Sequence, residues 1–179
     1  FLKHKPAIQE AKLWLAKTLI ERDRYGEAEN ILRTLAAANN TFDEVRDELH
    51  VIQAYSALDR GQIAASVEPL RQAIARAKRG QNKSRYAFIL AQVLEETKQY
   101  NEALVAYDDV VKLRPAYEMN FNAVLSKAKM QWSTGSIADK KFENNLSRML
   151  KDDKNLEFRD QLYFAMAERD LKNGDIESA

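Results

Sequence analysis

Histidines and facing carboxylates are the side chains best suited to acid–base or metal chemistry, and this sequence offers few of them. Its only histidines are His4 and His50, far apart and without further ligands at metal-binding spacing. Asp108–Asp109 and Asp152–Asp153 are adjacent pairs, and neighbouring side chains on a helix diverge. There is no cysteine, so thiolate nucleophiles and disulfides are excluded. No Gly-rich loop able to cradle a phosphate occurs. These features predict a chain that is not an enzyme and uses no metal or cofactor.

A charge cluster of one sign is RQAIARAKRGQNKSR, residues 71–85. It carries Arg71, Arg76, Lys78, Arg79, Lys83 and Arg85 and no acid. Such a run can meet phosphates or an acidic partner. It equally suits a solvated helix end, where cations complement the terminal carbonyls, and that is the preferred reading. Across the whole chain 28 Lys and Arg face 27 Asp and Glu. A net charge of +1 gives no global steering toward nucleic acid, and none is expected as a partner. No apolar run reaches the roughly 18 residues that a membrane span needs.

The elements that must carry these residues are helices. Ala, Leu, Glu, Lys, Gln and Arg, the good helix formers, dominate the 179 residues, with only 5 Gly and 3 Pro. A pattern of a tight polar turn followed by an aromatic or Ile recurs at Tyr25, Ile63, Tyr100, Ile137 and Ile176. The steps are 38, 37, 37 and 39 residues. Three residues after each anchor stand Ala28, Ser66, Ala103, Lys140 and Ala179. Apolar residues at three- and four-residue steps, such as Ala87, Leu90, Ala91 and Leu94, mark helices rather than strands. First helices are predicted near 7–22, 43–59, 83–97, 117–133 and 156–173. Second helices are predicted near 26–38, 64–79, 101–113 and 139–151. Gly61, Gly135 and Gly174 fall where first helices must stop, since glycine tolerates the left-handed stop conformation. Gly26, Asn101 and Asp139 are candidate starts of second helices. Pro69 demands a late helix start or a kink.

The third unit, with Ala91, Tyr100, Ala103, Tyr107 and Pro115, resembles the tetratricopeptide repeat (TPR). The first unit, with Ala16, Tyr25, Ala28 and Leu32, is similar. The fourth is the most divergent because Lys140 replaces a small residue. The resemblance implies an all-α fold, a TPR-like α-solenoid of antiparallel helix hairpins built as a single array. Its units would be 7–42, 43–82, 83–116, 117–155 and an incomplete 156–179. In this family the fifth, ninth and twelfth positions of each first helix face a concave groove. The fifth positions here are Leu13, Val51, Phe88, Leu125 and Phe164. The ninth are Lys17, Tyr55, Gln92, Lys129 and Glu168. The twelfth are Ile20, Leu58, Glu95, Trp132 and Leu171. The implied site is a groove for an extended or helical peptide segment, with Tyr55, Phe88 and Trp132 as aromatic anchors. The same residues could instead fill the core between repeats. The Lys and Asn that chaperone-binding TPRs use to hold a terminal carboxylate are absent from the fifth and ninth positions.

Residues 114–128, RPAYEMNFNAVLSKA, together with residues 149–179, resemble the TPR region of the PorW/SprE lipoproteins of the type IX secretion and gliding machinery of Bacteroidetes. That resemblance implies a scaffold on the periplasmic face of the outer membrane, linking the translocon to a periplasmic ring and motor. Its partners would be secretion-complex proteins. Membrane attachment would run only through a lipid anchor outside this segment, which reads as a piece of a longer array. The competing readings are a cytosolic TPR adaptor that binds peptides in its groove and a TPR region appended to an enzyme. Within 117–128, Tyr117, Met119, Phe121 and Leu125 read as packing residues, and Glu118, Asn120 and Asn122 as a possible partner surface.

Overall fold

A helix that ends and immediately reverses must satisfy its last carbonyls and swing the chain through a left-handed residue. This event recurs along the computed structural model, which describes residues 7–175. Positive φ occurs at Asp23 (58°), Gly61 (68°), Lys98 (61°), Gly135 (73°) and Gly174 (81°). Each lies two residues before a repeat anchor read from the sequence, so the turns repeat at the same steps. In four of these turns two hydrogen bonds close the helix: Asp23 N to Ile20 O (2.8 Å) and Arg24 N to Leu19 O (2.8 Å), then their equivalents at Gly61/Gln62, Lys98/Gln99 and Gly174/Asp175. The fourth unit's turn is wider; Gly135 N reaches Trp132 O (3.0 Å), but Ile137 N takes the Gln131 carbonyl (3.1 Å).

Between the turns run helices α1 (Ala7–Ile20), α2 (Tyr25–Ala37), α3 (Asp43–Asp59), α4 (Val67–Arg76), α5 (Gln81–Glu96), α6 (Tyr100–Leu113), α7 (Tyr117–Ser133), α8 (Asp139–Leu150) and α9 (Arg159–Asn173). Short 3-10 segments, Ile63–Ser66 and Asp153–Phe158, lead into α4 and α9. No strand occurs among the described residues. The fold is all-α. Pro69 is the third residue of α4, inside the first turn, where its missing N–H leaves no internal bond unmade. The 3-10 segment is the late start that Pro69 requires.

Asp139 starts α8 as expected, whereas α2 and α6 start one residue earlier than expected. Gly26 and Asn101 lie inside α2 and α6, which begin at the anchor tyrosines. Asp139 is the first residue of α8 and caps nothing. Its carboxylate instead accepts from Trp132 Nε1 (3.1 Å) and Asn173 Nδ2 (3.0 Å). His4, Pro6 and the fifth anchor with its partner, Ile176 and Ala179, lie outside the described residues.

The chain divides into two compact units, Phe1–Leu113 and Arg114–Ala179. In the first, α1 and α2 pack together and α3 packs on both; α4 lies on α3 and α5, and α5 pairs with α6. The α1–α3 core holds Leu13, Ala16, Ile20, Leu32, Val45 and Leu49, none more than 3% exposed. Fully burying each large apolar side chain contributes about 1.5–3 kcal/mol. Small residues sit where the backbones come closest: Ala28 and Ala103 are fully buried, and so is Ser66, whose Oγ donates to Ile63 O (2.7 Å). In the second unit, Phe121, Leu125, Phe142, Leu146 and Leu162 form the core between α7, α8 and α9. Phe158 stacks on Phe121 at 4.7 Å, and Tyr117 donates to the buried Asn155 (2.7 Å). The aromatic part of the 114–128 motif thus ties α7 to the segment before α9.

Gly61→Ala introduces no clash, because nothing lies within 4 Å of the added carbon. Its expected cost is the left-handed strain alone, about 1 kcal/mol. Lys98→Gly relieves the same strain and should stabilise by about 0.5 kcal/mol after the entropy of the unfolded chain is counted. Chemical denaturation followed by circular dichroism measures both, and the two shifts should have opposite sign.

Candidate functional site

The sequence steps between repeats bring Lys17 of α1 and Tyr55 of α3 to one side of the first unit. There they line a cleft of about 430 Å³ with Val51 and Leu58, closed by Arg85, Tyr86 and Ile89 of α5. The Lys17 ammonium bonds Glu48 and lies 4.6 Å above the Trp14 ring. Tyr55 is 38% exposed, and its hydroxyl donates to Glu21, one helix away. That hydrogen bond, with partial desolvation, pushes the Tyr55 phenol up to about 12. Tyr55 is therefore a neutral donor at any ordinary pH, held in one orientation by Glu21. Tyr25 is fixed similarly at the hairpin turn, 2.9 Å from both Asp23 Oδ1 and Asp59 Oδ2. The two carboxylates, Asp59 foremost, raise its pKa well above the usual range.

The second unit carries a cleft of about 480 Å³ between α7 and α9, lined by Asn122, Leu125, Ser126, Lys129, Gln161 and Phe164. Lys129 pairs with Glu168 at 2.7 Å, and its ammonium lies 5.8 Å from the Phe164 ring centre. Phe164 is 63% exposed. Each unit thus presents an apolar patch, an accessible aromatic ring and a neighbouring ion pair. That set can clasp a peptide through ring contacts and hydrogen bonds; it offers no nucleophile poised beside a base.

Several residues expected in the groove lie elsewhere. Leu13 is 1% exposed and belongs to the α1–α3 core, because the face of α1 that carries it is covered by both α2 and α3. Phe88 packs edge-on against Tyr107 of α6, with ring centres 6.0 Å apart. The cleft side of α5 is set instead by Arg85, Tyr86 and Ile89. Gln92 is exposed and lines neither cleft. Trp132 stacks on Phe142 at 4.9 Å, with Lys172 above its ring at 4.5 Å. It is a packing residue rather than a free anchor.

The basic run is divided among several tasks. Arg76 bonds Asp47 (2.6 Å) and Asp43 (3.1 Å), and Arg71 bonds Glu102. The Asp47 hydrogen bond raises the Arg76 pKa further above its already high value. Lys83 donates to the Ala77 carbonyl (3.1 Å) at the end of α4. This fits the solvated-helix-end reading for that residue. Arg85 turns to the cleft, while Lys78 and Arg79 stay exposed with no carboxylate partner among the described residues.

The sequence reading missed Arg169. It is the centre of an ion cluster in the second unit, 2.6 Å from Asp170 and 3.2 Å from Glu143. A cation inside the apolar period of α9 was the available signal. His50 Nδ1 lies 3.2 Å from Gln53 Oε1. Among the described residues no group of three or more His, Cys, Asp and Glu is placed to hold a metal ion. No helix among them is long and apolar enough to cross a membrane. Compared with known proteins, the sequence matches no family model and no curated protein.

Leu13→Ala should cost about 2–5 kcal/mol, as a buried truncation does, and Phe164→Ala should stay within about 0.5 kcal/mol. Thermal and urea unfolding of the two variants measure the contrast. In an alkaline absorbance titration, Tyr55→Phe should remove a phenol that ionises near pH 12. The raised pKa also fixes the sign for stability: the Tyr55 contribution is complete below about pH 10 and is lost as pH rises from there through about 12.

Proposed function

We propose that the chain is a non-catalytic protein–protein interaction scaffold: an α-solenoid of the TPR type whose first helices offer a concave face to a partner's extended or helical peptide segment. The observation that carries this reading is the pair of aromatic rings, Tyr55 and Phe164, left accessible beside ion pairs on the first-helix clefts. At the equivalent helical positions Leu13 and Leu125 are buried and Phe88 is half-buried. Exposed rings held by fixed polar contacts supply contact area at low entropic cost, as binding hot spots do. The repeated left-handed turns support the hairpin array itself.

Within that class, the reading is a periplasm-facing component of a type IX secretion complex, linking an outer-membrane translocon to a ring and motor. This finer assignment rests on the resemblance of residues 114–128 and 149–179 to the PorW/SprE lipoproteins. The partners are then other secretion-complex proteins, and the membrane is reached through a lipid anchor outside this segment.

Cross-linking in the native envelope, followed by purification of the full-length protein, tests both levels. Tyr55→Ala and Phe164→Ala should each lower partner recovery by about tenfold, equivalent to ~1.4 kcal/mol. The melting temperature should fall by less than about 3 °C. Loss of stability with recovery unchanged would return both rings to a packing role. Recovery of cytosolic proteins alone would move the scaffold to the cytosolic adaptor reading.

A further inference from the structure

A second concavity in the first unit lies away from the first-helix cleft. It is a groove of about 880 Å³ between α4 and α6, floored by α5. Both walls pack on α5, and the Arg71–Glu102 pair bridges them. On α5 the lining residues run from Lys83 to Leu94. At 1.5 Å per residue this is about 17 Å, or three helical turns. The walls are apolar: Ile74 on α4 faces Val105 and Leu113 on α6, and Leu90 forms part of the floor. Val105 is 58% exposed, although it follows the buried Ala103 within an apolar stretch of α6. Val105 is not an isolated exposed side chain: it continues the apolar lining of the trough to its lip.

The rim charges identify the occupant. Glu102 is matched by Arg71 and Asp109 by Lys112 (2.7 Å). At the end of the groove beside the α4–α5 connection, Arg79 has no carboxylate partner among the described residues. Lys83 there is engaged only by a backbone carbonyl. Lys78, exposed in the same connection, adds a third cation without a carboxylate partner. The groove is therefore an apolar trough of helix length with a positive surplus at one end.

We propose that this α4–α5–α6 groove docks an amphipathic helix of a partner protein, with apolar residues at i, i+3, i+4 and i+7 and acidic residues at the end that meets Arg79 and Lys83. The occupant is helical because the trough runs about three helical turns along α5 and the described residues offer no sheet edge. It is acidic because the unmatched rim charges are cations, which favour an oppositely charged partner in both encounter and register. Its walls are second helices and its floor is the Lys83, Ala87, Leu90 and Leu94 face of α5, whereas the first-helix cleft uses Arg85, Tyr86 and Ile89 of that helix, so a second partner can be held simultaneously.

The test is a selection of helical peptides with fixed apolar positions and randomised flanks against the whole chain, followed by affinity measurement at low and high salt. The expected binders are enriched in Asp and Glu at one end. They lose at least tenfold in affinity to Val105→Glu and several-fold to Arg79→Glu, and they weaken as salt rises. Tyr55→Ala leaves them unchanged, which separates this site from the cleft proposed above. Circular dichroism of Val105→Glu, exposed as that residue is, verifies an intact fold. Failure to enrich any binder, enrichment without acidic bias, or binding insensitive to Val105→Glu would overturn the proposal. Sedimentation of the chain alone supplies the remaining outcome: dimers abolished by Val105→Glu would assign the groove to a second copy and overturn it as well.

Discussion

A helix hairpin has more apolar surface than its own internal contact can cover. In the first unit, α1 touches α2 along one face and still needs α3 to bury Leu13 and Leu19. The third helix is therefore not an addition to a finished hairpin; it completes the core of the one before it. This requirement explains why the turn geometry recurs so closely. If the chain reversed differently after one first helix, the second helix would present the wrong face to the next hairpin. The left-handed residue two positions before each anchor sets that reversal. Glycine fills it three times, and Asp23 and Lys98 fill it at a strain cost of about 1–2 kcal/mol each.

Close approach of helices also decides what can be left exposed. Alanines at 16, 28, 54, 91 and 103 are all at most 2% exposed. Small residues at these positions let the backbones come together, so the larger aromatics are displaced to the edges of the contact. Some of them, such as Phe88 and Trp132, find a ring to pack on. Tyr55 and Phe164 do not, and remain at the surface beside an ion pair or a hydrogen bond. The surface available for binding is thus a by-product of how tightly the small residues draw the helices together.

Much of this was legible in the sequence because it is local. The ranges 43–59 and 117–133 coincide with α3 and α7, since a helix is fixed by its own period and its own stops. The Pro69 delay followed from one missing N–H. The fine site assignment was less legible. Leu13 and Phe88 occupy family positions that imply a groove, yet which face of a helix is open depends on two neighbours distant in sequence. The second-helix groove was invisible for the same reason: α4 and α6 are separated in the chain by the whole of α5. Helix starts were misjudged because the anchor tyrosines, rather than the polar residues after them, begin α2 and α6.

Charge shows most clearly why composition is a poor guide to recognition. With 28 cations and 27 anions the chain is nearly neutral, but its pairs are not formed between sequence neighbours alone. Lys17–Glu48, Arg71–Glu102 and Arg76–Asp47 are separated by 29 to 31 residues, most of one repeat. Each such tie on a solvated surface is worth no more than about 1 kcal/mol. Their larger effect is to remove charge from view. Arg71 and Arg76 of α4 meet acids on α6 and α3, whereas no acid among the described residues reaches the connection after α4. A local positive field survives at Lys78 and Arg79 on a nearly neutral molecule, beside the apolar groove of α4, α5 and α6. The charge left on the surface is the part that the packed helices fail to pair, and that remainder can be read only after the helices have been placed against one another.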